Sequence, residues 1–180
     1  MANGAVLSAR EARVEEGHKF EEKFFGFSPI FDPNKIHRRS EKISFGEILN
    51  ETLQQQEIMQ WKPRKPRTWL AKKLFDAVKM RLPKYVRNEL LLCCALGTPM
   101  DYIGVDGFFV LECHPHFVVT FDLTRCGCPQ KQVSLRANGL ITINDMYRNE
   151  RINHIASIIA KSLIGALRHR WRSNKKRLWW

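Results

Sequence analysis

Asp106 and Asp122 are the residues of this chain best suited, by type and spacing, to carry chemistry. They lie in two stretches, Gly104–Glu112 and Phe117–Thr124, rich in aromatic and β-branched residues and separated by Cys113-His114-Pro115-His116. That pattern predicts two antiparallel strands joined by a short break. Folded symmetrically about His114, the pair brings Asp106 opposite Asp122. Cross-strand carboxylates repel each other, so a bound cation, a shared proton or a basic neighbour must offset them. A divalent metal is the option with chemistry in it, because hard cations take carboxylate oxygens. The bland alternative is a register slip of a residue or two, after which the aspartates never meet.

Alternation sorts the side chains of the two strands onto two faces. Val105, Phe109 and Leu111 share an apolar core face with Phe117, Val119, Phe121 and Leu123. Asp106, Phe108, Val110 and Glu112 oppose Val118, Thr120, Asp122 and Thr124 on the other. A third acid, Glu21, sits in a helical pattern over Leu7–Phe25, beside a stripe of Val14, Gly17, Phe20 and Phe24. Its carboxylate could be aimed at an adjoining site, or simply be solvated. Cys113, His114, His116, Cys126 and Cys128 have zinc-ligand chemistry. However, the two groups fall at opposite ends of the second strand, roughly 25 Å apart, so they do not share a metal.

The 180 residues suffice for one domain with a sizeable core. The formal charge of +12 points to a polyanionic partner, nucleic acid first, and says nothing of fold. Ten Lys/Arg against one acid fall between Lys62 and Arg87, and eight against none between Arg151 and the end. No apolar run approaches the ~20 residues of a membrane span, and no signal-peptide pattern opens the chain. The expectation is a cytoplasmic protein without a membrane partner. Five cysteines, an odd number, fit reduced thiols better than a disulfide framework.

The elements that must position the acids follow in order. Ser44 to Gln60 predicts a helix, capped by Ser44 with Glu47 three residues on. Trp61-Lys62-Pro63-Arg64-Lys65-Pro66-Arg67 predicts an extended basic arm, since two prolines bar a helix. Such an arm can follow phosphates while Trp61 or Trp69 stacks on a base; alternatively both tryptophans pack into the core. Thr68–Met80 and Pro83–Leu96 read as helices, the second holding Cys93 and Cys94 in the core. Asn138-Gly139 signals a two-residue hairpin between Val133–Arg136 and Leu140–Asn144. Asn149 opens a long helix with Ile152, Ile155, Ile159, Leu163 and Leu167 as its buried stripe. A basic tail over 169–180 follows.

Helix with Glu, strand with Asp, strand with a second acid, then a long helix: this order resembles the PD-(D/E)XK nuclease superfamily. The resemblance implies an α/β (α+β) restriction-endonuclease-like core, a mixed sheet with a central hairpin flanked by helices. A single domain over 1–180 is expected, with core segments 7–27 and 98–168 and a basic helical insertion over 28–97. Glu21, Asp106 and Asp122 resemble the superfamily's three acids, with Asp106 and Asp122 as ligands for Mg²⁺ or Mn²⁺. Two residues after Asp122 the pattern wants Lys, and this chain has Thr124. A hydroxyl supplies no positive charge, so Lys23 or Lys131, or more weakly Lys19, would have to replace it.

The reading that results is a metal-dependent nuclease cutting phosphodiesters of DNA, or of RNA. The alternative is a degenerate nuclease fold that binds nucleic acid or serves as a subunit of a larger nucleoprotein complex. A homodimer is compatible with either. Contacts to nucleic acid are expected from Lys62, Arg64, Lys65, Arg67, Lys72 and Lys73. A second set, Arg168, Arg170, Arg172, Lys175, Lys176 and Arg177, lies at the C-terminal end.

Overall fold

The computed structural model describes residues 18–26, 44–124 and 138–177, with side chains as far as Arg168. The architecture is mixed α/β, a four-stranded mixed sheet flanked by helices. In chain order the elements are α1 (residues 18–25), α2 (Phe45–Ile58), α3 (Trp69–Arg81), β1 (Leu90–Cys94), β2 (Gly107–Leu111) and β3 (His114–Thr124). There follow β4 (Gly139–Thr142), α4 (Ile143–Tyr147) and α5 (Asn149–Arg177). The strands lie in the order β1-β2-β3-β4, with the first two pairings antiparallel and β3–β4 parallel. Among the described residues no helix is long and apolar enough to cross a membrane.

Alternation along β2 and β3 feeds two apolar clusters. Phe109, Leu111, Val119, Phe121 and Leu123 pack with residues of α1, α3 and α5. Phe108 and Val110 pack on the opposite face with Ile48 and Leu49 of α2. Val105 joins this second cluster rather than the first, since it precedes the strand. Phe117 is exposed rather than in the core. The register holds from Gly107↔Phe121 to Val110↔Val118, then shifts so that Leu111 pairs with His114. The hairpin therefore turns at Glu112–Cys113, and His114 begins β3 instead of sitting at the centre of the loop.

Helix signals near the middle of the chain are accurate in part. Ser44 and Glu47 form the reciprocal capping box at the start of α2, and Thr68 caps α3. The helix expected over Pro83–Leu96 is instead a 3₁₀ segment, Lys84–Glu89, followed by β1. Leu90–Cys94 is apolar throughout, and such a run has no periodicity to separate strand from helix. Cys93 and Cys94 are buried in it. The outward edge of β1 is covered from the preceding segment. Gln56 donates to Cys94 O at 2.7 Å and accepts from Cys94 N at 2.9 Å. Leu92 N donates to Pro63 O, and Trp61 Nε1 donates to Leu92 O at 2.7 Å. Trp61 is thus a core residue.

Asn138 and Gly139 do not turn a hairpin. Asn138 N donates to Thr120 O, and Gly139 opens β4 opposite Phe121. The other expected arm, Val133–Arg136, lies outside the described residues, as do Cys126, Cys128 and Lys131. Thr142 then ends the strand by capping α4, with Asp145 completing the box. In α5, Ile152, Ile159 and Leu163 are buried, with Ile155 and Leu167 packed against the same core.

Candidate functional site

The open end of the β2–β3 ladder brings the two aspartates together. Asp106 N donates to Phe121 O at 3.0 Å, one step beyond the Gly107↔Phe121 pair, which sets Asp106 across from Asp122. Both side chains are buried, and the two carboxyl groups hydrogen-bond each other. Asp106 Oδ2 also accepts from Leu123 N at 2.5 Å. Burial is the main cause that raises the Asp106 carboxyl, to about 9. The charges of Glu21 and Asp122 add to it, and the Leu123 N–H opposes it. The Asp106 carboxyl thus keeps its proton to higher pH than an exposed aspartate, which offsets carboxylate repulsion.

The helix that carries Glu21 is fixed by aromatic packing. Phe20, Phe24 and Phe25 bury one side of α1. The Phe24 ring meets Phe121 at 5.9 Å, and Phe25 meets Trp61 at 5.3 Å between centroids. Gly107 permits this approach. A Cβ there would lie 2.5 Å from Phe121 Cζ and 2.8 Å from Phe25 Cζ. The Thr68 hydroxyl, which caps α3, also donates to Phe24 O at the end of α1. So fixed, Glu21 is the strongest charge acting on Asp106, and it lies 3.1 Å from His18 Nδ1.

A fourth acid escaped the sequence reading. This is Asp101, at the end of the stretch Thr98-Pro99-Met100-Asp101. It begins a 3₁₀ turn, and its Oδ2 accepts from Gly97 N at 2.7 Å. Burial pushes its carboxyl up to about 6, against the Gly97 N–H, with Glu21 and Asp122 raising it further and His18 lowering it. Asp101 therefore feels the charges of Glu21, Asp122 and His18. No spacing rule links a turn residue to a helix eighty positions earlier, so nothing in the sequence pointed to Asp101, whereas His18 stands one helical turn before Glu21.

The expected cation is not among the main charges on Asp106. Thr124 is buried beside the site in the register that pairs it with Thr142. Lys23, on the same helix as Glu21, donates to Tyr147 Oη at 2.6 Å. Lys131 lies outside the described residues. Among the described residues no three His, Cys, Asp or Glu side chains are drawn together as a metal cage. The Asp106–Asp122 pair fits a hard divalent cation in donor chemistry. It offers carboxylate oxygens, and Mg²⁺ ordinarily keeps several waters besides one or two carboxylates.

Of the basic candidates, Lys62, Lys65, Arg67, Lys72 and Arg168 are exposed. Arg64 instead spends its guanidinium on Asn88 O and Glu112. Lys73 Nζ lies 4.5 Å from the Trp69 ring centroid. Arg170, Arg172, Lys175, Lys176 and Arg177 continue the backbone of α5, their side chains outside the described ones. No protein-family model, curated protein or solved structure matches the chain.

Proposed function

We propose that this chain is a nuclease-fold protein that hydrolyses phosphodiester bonds in DNA or RNA with the help of Mg²⁺ or Mn²⁺. The observation that carries the reading is the buried Asp106–Asp122 pair, with the charge of Glu21 acting on it. Asp106 and Asp122 would hold the metal, which when bound polarises a phosphate and lowers the pKa of a water. To do so the pair must release the proton on Asp106, so metal affinity rises with pH. Glu21 orients the attacking water or an outer ligand. Lys62, Lys65, Arg67 and Lys72 neutralise backbone phosphates, which makes binding strongly salt-dependent.

A second reading is favoured by Thr124, which stands where the superfamily places its lysine. On that reading the fold binds nucleic acid, or builds a larger nucleoprotein complex, without cutting. Incubation of the protein with DNA and RNA substrates in Mg²⁺ or Mn²⁺ separates the two. Cleavage should be present in the parent and fall on the order of a thousandfold in Asp122→Ala, the loss expected when metal stabilisation worth several kcal/mol is removed. Binding should survive the substitution. Binding without cleavage in the parent assigns the second reading, and absence of both sinks each.

A further inference from the structure

The two tryptophans that bracket the basic arm have separate fates. Trp61 is buried with its indole N–H on Leu92 O. Trp69, the first residue of α3, is 59 % exposed. Beside it lies a second exposed ring, Tyr147, the last residue of α4, at 51 %. The ring centroids are 6.3 Å apart and the planes are inclined by 32°. Each ring carries a cation. Lys73 Nζ is 4.5 Å from the Trp69 centroid, and Lys23 Nζ is 5.4 Å from that of Tyr147 while donating to its hydroxyl. Large apolar side chains left outside a core in one contiguous group are the informative kind of exposure.

We infer that Trp69 and Tyr147, flanked by Lys73 and Lys23, form a stacking platform for an unpaired base of single-stranded nucleic acid. The inference deepens the nucleic-acid reading above and rests on it. Aromatic faces accept any base through its π-face, and nearby ammonium groups hold the adjoining phosphates. Within a duplex both faces of a base are covered by its neighbours, so only an unpaired or extruded base can use such a platform. The charge is complementary, since the exposed Lys72 adds a third cation on α3. Position also suits the task. Lys23 lies two residues, about 3 Å of helical rise, from Glu21. One short helix thus carries Lys23 to the platform and, about 200° around its axis, Glu21, whose charge acts on Asp106.

The test is fluorescence anisotropy with a labelled single-stranded 12-mer and a blunt duplex of the same length, at one salt concentration. Trp69→Ala should weaken single-strand binding roughly tenfold or more. Its duplex binding should stay within about twofold, and its melting temperature should match that of the parent. Trp69→Phe, which keeps a ring, should recover most of the single-strand affinity. An equal fall on both ligands overturns the platform, because the ring would then serve a general surface or the fold. No change on either also overturns it and leaves the patch to a protein partner. A parent that binds neither ligand sinks the nucleic-acid reading itself. A parent that binds both while Trp69→Ala binds them identically sinks the platform alone.

Discussion

The β2–β3 hairpin has a carboxylate at each end, and the two ends treat it in opposite ways. At the turn, Glu112 is exposed and meets Arg64, while its N–H donates to Glu89 O. At the open end, Asp106 is buried against another acid, with its carboxyl raised. Water screens the first arrangement, so the ion pair adds little. The interior cannot screen the second, so ionisation there is costly. One ladder thus shows that placement, rather than residue type, decides whether an acid is ordinary. The turn end is satisfied as it stands. The open end is a standing request for a proton or a cation.

The contrast breaks most severely at Gly107, whose missing Cβ lets Phe25 and Phe121 close over the open end. Gly107→Ala should cost about 3 kcal/mol by overpacking. Denaturant melts would register it, and a loss under about 0.5 kcal/mol would mean the rings are not confined. Next in size is Asp106→Asn, which mimics the protonated acid. The folded Asp106 carboxyl is raised above its unfolded value, so the parent loses stability as pH climbs from about 4 through about 9. The asparagine variant should escape that loss. Its advantage should be near zero at pH 4 and grow steadily towards pH 8. A difference independent of pH would show that Asp106 does not hold the proton. The smallest effect belongs to the turn end, where Glu112→Gln should change stability by less than about 1 kcal/mol, and less still at high salt. A larger change would erase the distinction between the two ends.

Much of the arrangement was legible because period-two alternation and one short break constrain a hairpin tightly. They place Asp106 against Asp122, and they put Phe109, Phe121 and Leu123 on the far face. The bulge after Val110 was not legible, because nothing in residue type announces where an extra residue will be absorbed. β1 was hidden by its uniform apolarity, and the parallel strand β4 by an Asn-Gly pair that usually turns. Trp61 and Trp69 are alike in type and flanked by the same prolines. Only the edge of β1, itself misread, explains why one is inside. Glu21 was visible from its helical stripe and His18 stands one turn before it, whereas Asp101 is linked to them through tertiary proximity alone.

The covering of β1 has a consequence for how this molecule meets copies of itself. An edge strand with open amide and carbonyl groups is a template on which another chain can add. Here two of the outward-facing residues, Leu92 and Cys94, are already occupied by Pro63, Trp61 and the amide of Gln56. A single glutamine side chain, giving and taking one hydrogen bond at Cys94, imitates the backbone of a strand that is not there. The sheet is therefore covered at these two residues by its own chain, and the apolar run Leu-Leu-Leu-Cys-Cys offers less of an open edge to another chain.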